Sequence, residues 1–392
     1  MRRQPILNIA VLLAVVLGSL VWVRAQDVVI DRQKAEALQK RMQKGDTLTQ
    51  EEKAYVQSVS RAVKREGEEA KSAVNNPVPP ARDSTGLIPL TDLGTETYKG
   101  EDGGLYGGGS NEPPPGHRAA VLRELQQIRP LDAEGRPAGD GKIVLISVGM
   151  SNTTMEFQTF KKKADADPLK SPSVLIVDTA QGARVASVWA NDAGGNRGPD
   201  PWPVVDDRLK DAGVSPNQVQ VVWIKHAQNQ PHTLSAFPRM AHAQSLANNT
   251  ILTLQRLRQR FPNLRIAYLS SRIYAGYATT PLNPEPFAYE GAFAARWVIQ
   301  AQAAGDPLLN FDPSKGSVLA PAVLWGPYLW TDGVKGRKCD NLAWQKEDVS
   351  PKDGTHPSDS GREKVANLLL DFLHNNPLAS PWYRDGARPS SN

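Results

Sequence analysis

The chain has 392 residues, of which 40% are apolar and 22% charged, with a formal net charge of +5. That length buries a substantial core and suits one large domain with appendages, while bases spread along the chain and matched by acids argue against nucleic acid as a partner. The single cysteine, Cys339, excludes an intrachain disulfide framework and any metal site built on a cysteine cluster.

Arg2 and Arg3 precede an apolar run from Ile6 to Val23, and Ala25 offers a small residue for a signal peptidase. Residues 1–25 are therefore expected to be a signal peptide or a membrane anchor. The run is at the lower edge of the length that spans a bilayer. The rest of the chain is expected to be exported, whether periplasmic, extracellular or attached to a membrane and facing outward. Residues 26–74 read as a helical hairpin. Ala35, Leu38 and Met42 follow helical spacing, Gly45-Asp46 stops the first helix, and Thr49-Gln50-Glu51-Glu52 is a capping box for the second. Its apolar stripe, Tyr55, Val56, Val59 and Val63, is narrow, and a spacer is the expected role.

Residues 75–117 are rich in proline and glycine, as in "NNPVPPARDSTG" and "GEDGGLYGGGSNEPPPGH". Such a composition cannot fold alone and reads as a linker, or as an extended arm lying on the domain that follows. From Lys142 onward the pattern alternates. The strand candidates are "KIVLISVG", "SVLIVDTA", "VQVVWIKHA", "RIAYLSSRIY" and "AVLWGPYLW". Between and after them lie the helical patterns "MAHAQSLANNTILTLQRLRQRF", "YEGAFAARWVIQAQAAG" and "DSGREKVANLLLDFLHNN". Continuous apolar strands alternating with helices predict an α/β domain over 118–392, a mostly parallel sheet covered on both faces. Ligands in such folds sit beyond the carboxyl ends of the strands.

At that edge, the first strand ends in Gly149-Met150-Ser151-Asn152. A serine here serves either as a helix N-cap or as a nucleophile, and a nucleophile needs a base and a group to orient it. "KDGTHPSDSGREKV" supplies Asp353 and His356 just before the last helix. A carboxylate three residues from an imidazole can fix its tautomer while the ring takes a proton.

Together these residues resemble the SGNH (GDSL-like) hydrolases. Gly149-Met150-Ser151-Asn152 is similar to the first block of that family, nearest the Gly-Gln-Ser-Asn of the sialate and acetyl-carbohydrate esterase branch. Met150 stands where that branch has glutamine. Asp353-Gly354-Thr355-His356 is similar to the last block. The resemblance covers roughly residues 142–375. It implies a three-layer α/β/α sandwich of flavodoxin-like topology, with Ser151 as nucleophile, His356 as base and Asp353 as its orienting partner. It further implies that Gly182 in "VDTAQGARVASVW" and Asn229 or Gln228 in "VVWIKHAQNQP" complete the oxyanion site. His226 replaces the glycine of that third block. Asn191-Asp192 matches its letters better but follows Gly182 too closely to end a separate strand.

The implied activity is ester hydrolysis through an acyl-enzyme, with an esterified carbohydrate or another small ester as substrate and with no cofactor or metal. Asn152, Arg272 and Tyr274 are the candidate substrate contacts. The spacings of His226, His232 and His242 match no common metal motif. Trp189, Trp202, Trp223, Trp325, Tyr328 and Trp330 either stack on a sugar or belong to the core, and the core reading is favoured. The rival functions are a catalytically silent carbohydrate-binding or envelope protein and a lipid esterase or thioesterase.

Overall fold

In a computed structural model of the chain, the residues described are 49–50, 52, 80–190, 200–228, 231, 237 and 242–385. The expected signal peptide or anchor and almost all of the expected hairpin lie outside them. Of that region, Thr49 and Glu52 form the reciprocal capping contacts. The Thr49 N–H donates to Glu52 Oε2 at 2.9 Å, and the Glu52 N–H donates to Thr49 Oγ1 at 3.1 Å.

Five strands make one parallel sheet: β1 (Ile143–Gly149), β2 (Val174–Val177), β3 (Val219–Lys225), β4 (Ile266–Ser270) and β5 (Ala322–Trp325). Their order is β2-β1-β3-β4-β5, the flavodoxin-like order. Every residue of β1, β3, β4 and β5 is buried, which is why these segments read as predominantly apolar runs rather than alternating ones. All five expected strands form. The last residues of the expected β3 and β4 segments, from His226 and Ser271 on, leave the sheet and become loops at its carboxyl edge.

The main helices are α1 (Pro115–Leu125), α2 (Ser151–Asp165), α3 (Trp202–Asp211), α4 (His242–Arg260), α5 (Phe287–Ala303) and α6 (Asp359–Asn375). Trp223 of β3 and Tyr268 of β4 are register partners and so share a face. Phe157 of α2 stacks on Trp223, with ring centroids 5.6 Å apart, and Phe372 of α6 meets Tyr268 edge-on at 5.1 Å. Helices α2 and α6 therefore cover that face. Right-handed crossovers carry α3, α4 and α5 over the other face, giving a three-layer α/β/α sandwich.

The proline- and glycine-rich segment, from residue 80, lies on this domain. Leu90 and Leu93 are buried, and the Asp332 carboxylate gathers the Ser84 hydroxyl, the Thr85 hydroxyl and N–H, and the Gly86 N–H, at 2.5 to 3.0 Å. The Tyr274 hydroxyl donates to the Arg82 carbonyl at 2.8 Å. Helix α1 begins inside the segment's last residues, with Pro115 in its first turn, where a missing N–H costs nothing.

Candidate active site

The carboxyl edge of β1 and the turn before α6 meet at Ser151. Gly149 closes β1, and a Cβ there would run into Thr153 Oγ1 and the Lys225 carbonyl, so only glycine lets the chain turn this tightly. Met150 occupies the N-cap position and its side chain is buried, while Thr153 Oγ1 accepts the Met150 N–H at 3.2 Å and donates to the Lys225 carbonyl at 2.9 Å. Ser151 is consequently the first helical residue of α2 and not its cap. Its hydroxyl is left for another partner.

That partner is His356. Ser151 Oγ lies 2.7 Å from His356 Nε2, and His356 Nδ1 lies 2.7 Å from Asp353 Oδ2. Asp353 Oδ1 also accepts the N–H groups of Thr355 at 2.8 Å and of His356 at 2.9 Å. Burial pushes the Asp353 carboxyl up. The N–H groups of His356 and Thr355 and the imidazole outweigh it, holding the acid below the usual carboxylate range. Gly354 has φ of +59°, and a Cβ there would strike the Tyr277 carbonyl, so this turn also requires glycine. The side chains of His356 and Asp353 are 24% and 20% exposed, which leaves the pair reachable from solvent.

Gly182 follows β2 in an exposed loop. The Gln181 N–H and Trp189 Nε1 both donate to the Gly149 carbonyl, at 3.1 and 3.2 Å, tying that loop to the serine turn. Neither the Ser151 N–H nor the Gly182 N–H has a hydrogen-bond acceptor among the described residues. The first N–H groups of a helix are free by construction and favour negative charge. Asn229 and the Asn191-Asp192 pair lie outside the described residues. Gln228 Nε2 donates to Ser245 Oγ of α4 at 3.3 Å, so its side-chain amide turns toward α4, while its backbone carbonyl accepts from Asn283 Nδ2 at 3.0 Å.

The three expected substrate contacts are all buried: Asn152 is 3% exposed, Arg272 2% and Tyr274 0%. This corrects the sequence reading for each. Asn152 lies in the first turn of α2 and Tyr274 anchors the arm, while an Arg272 η nitrogen donates to the Thr355 carbonyl at 3.2 Å. The six aromatic residues near this edge are also between 0% and 4% exposed, so they belong to the core. Their size rewards burial even where they stand at strand ends.

One further feature was missed in the sequence. Lys225 and Glu156 form an ion pair with both side chains fully buried, between β3 and α2. The signal was present, since Lys225 is the one charged residue of an otherwise uncharged strand. Burial lowers the Lys225 pKa to about 8, against the opposing pull of Glu156, with Arg272 lowering it further. His226, next along, is buried with neither ring nitrogen hydrogen-bonded among the described residues, and burial pushes it down to about 3, which keeps it neutral.

No protein-family model matches the chain, and no curated protein does. Among solved structures, similar chains include a Bacillus subtilis protein (9% identity, 61% of this chain and 57% of that one, TM-score 0.31). Another is a carbohydrate esterase whose active site is described as having divergent catalytic and non-catalytic binding functions (15%, 60% and 66%, TM-score 0.32). A third is described as a GDSL-like lipase from Parabacteroides merdae (13%, 59% and 95%, TM-score 0.31). The match spans less than two thirds of the first two chains.

Proposed function

We propose that the chain is an exported serine esterase of the SGNH kind. The observation that supports this most is the continuous Ser151–His356–Asp353 relay, with both links at 2.7 Å, at the carboxyl edge of the parallel sheet. Ser151 attacks the ester carbonyl while His356 Nε2 takes its proton. Asp353 holds the ring in the tautomer that carries hydrogen on Nδ1 and favours the imidazolium that forms. The N–H groups of Ser151 and Gly182 stabilise the developing oxyanion, aided by the helix N-terminus. The alcohol leaves with the proton from His356, and the same imidazole then activates water to release the acid from the acyl-enzyme. An O-acetyl group on a carbohydrate is the proposed ester, from the likeness of Gly149-Met150-Ser151-Asn152 to the acetyl-carbohydrate branch. The buried aromatic residues add nothing to that choice.

Purified full-length chain is expected to react with a fluorophosphonate probe and to hydrolyse p-nitrophenyl acetate. Ser151→Ala should abolish labelling, and both Ser151→Ala and His356→Ala should lower kcat by a factor on the order of 10³ or more. Wild-type protein that neither labels nor turns over removes the esterase reading in favour of a silent binding protein. Undiminished turnover in Ser151→Ala removes the nucleophile. Release of acetate from acetylated polysaccharide, compared with fatty-acid release from lipid esters, separates the substrate classes. Fractionation of the expressing cells tests export.

A further inference from the structure

Arg272 is a buried cation with a single destination. It follows β4 by two residues, is 2% exposed, and so cannot reach a substrate. A guanidinium carries five N–H donors. Here the one hydrogen bond it makes among the described residues runs to the Thr355 carbonyl at 3.2 Å, and its Nε has no partner. Burial lowers the Arg272 pKa and Lys225 of β3 opposes its charge further, against the favourable pull of Glu156 of α2, Glu285 of the β4–α5 connection and Asp353. An underused buried cation is poor value as a stabilising device, because desolvation offsets most of the Coulombic gain.

Its contact, however, falls on Thr355, the residue just before the base in the turn that joins it to the orienting acid. The turn 353–356 is otherwise held by backbone bonds, among them the Thr279 N–H on the Asp353 carbonyl at 2.9 Å, the Ser350 N–H on the His356 carbonyl at 2.7 Å and the Gly354 N–H on the Ser350 carbonyl at 2.8 Å. Among the described residues, the Thr355 carbonyl is thus the turn's backbone acceptor engaged by a buried charge.

We propose that Arg272 is a positioning residue, whose guanidinium, buried against the sheet, fixes the Thr355 carbonyl and through it the alignment of His356 with Ser151 and Asp353. The proposal rests on the esterase reading for its kinetic consequence, but not for its structural one. Misalignment of a base by about 1 Å costs on the order of 100-fold in rate. In the full-length chain, Arg272→Gln should lower kcat for p-nitrophenyl acetate by about 10- to 100-fold and change KM by less than about two-fold. It should also shift or broaden the downfield proton resonance of His356 Nδ1, identified by its loss in His356→Ala. Arg272→Lys keeps the charge on a shorter reach and should show the same changes to a smaller degree.

A folded Arg272 variant with wild-type kcat and an unshifted resonance overturns the proposal. So does a rise in KM alone, which marks a binding group, or a loss of kcat with the resonance intact. If Arg272→Gln does not fold, Arg272→Lys decides by the same readings. The resonance is observed without turnover. A wild-type chain that hydrolyses nothing therefore sinks the esterase reading while the resonance still decides the role of Arg272.

Discussion

His226 shows how one buried imidazole sets an acid limit. Its ordinary pKa in an unfolded chain is about 6.5, and in the fold burial lowers it to about 3. Below pH 6.5 the unfolded chain therefore binds a proton that the folded chain refuses, so stability falls as pH drops from about 6.5 toward 3. Between pH 7.5 and 5 the loss is on the order of 2 kcal/mol. His226→Leu should flatten that part of the profile, read as urea midpoints at the two pH values, and an unchanged slope would place the acid sensitivity elsewhere. Asp353 adds to it with the same sign. Its pKa is depressed in the fold, so its contribution is present above the unfolded value and is lost as pH falls through the folded one. At this scale the serine turn was legible, because glycine, serine and an Asp-x-x-His turn carry their chemistry in their letters. The burial of Asn152, Arg272 and Tyr274 was not, since polar side chains at a strand's end look the same whether they face a substrate or the protein interior.

Among the elements, β3 and α2 are joined by the fully buried Lys225–Glu156 pair just beneath the serine turn. The pair's two halves are worth little together and much apart. Removing one partner of a buried pair leaves an uncompensated charge and costs about 3–5 kcal/mol, whereas replacing both with well-packed apolar residues is near neutral. Lys225→Met alone should therefore lower the melting temperature clearly, and Lys225→Met with Glu156→Leu should restore most of it. If the double variant is as unstable as the single one, the pair is needed for more than charge balance. The five strands could be read as elements because four of them are buried along their whole length and the fifth nearly so, which makes each a mostly apolar run broken only by residues such as Ser147, Gln220 and Lys225. Helix α2 has few strongly apolar positions, with Phe157 and Phe160 its largest buried side chains, and its core-facing side also carries Asn152, Thr153 and Glu156. That mixture hides its helical period.

Over the whole molecule, the segment from residue 80 is fastened beside the loops that support the 353–356 turn. Four hydrogen bonds converge on Asp332 from Ser84, Thr85 and Gly86. Burial pushes the Asp332 carboxyl up, and these donors outweigh it, holding the acid below the usual carboxylate range. The latch is therefore intact above the unfolded carboxylate value and weakens as pH falls through the folded one. Hydrogen bonds to a charged group contribute about 1.5–3 kcal/mol each before the cost of ordering the segment. Asp332→Ala should lower stability by about 2–4 kcal/mol and open residues 82–93 to limited proteolysis. Cleavage at the wild-type rate would show that the buried Leu90 and Leu93 hold the segment unaided.

The sequence by itself determined the α/β class, the five strands and the turn residues of the candidate site, because hydrophobic period and glycine positions are local properties. The tertiary structure alone decided which polar groups meet. Ser151 and His356 stand 205 residues apart in the chain and 2.7 Å apart in the fold. Whether Arg272 faces a ligand or the Thr355 carbonyl depended on the loop that α6 brings across the sheet edge. Met150, unexplained as a letter, is in place an apolar side chain packed at the N-cap of α2, where Thr153 takes over the backbone contact. Side-chain direction at a strand's end is set by what packs over it, and that information is spread over the whole chain.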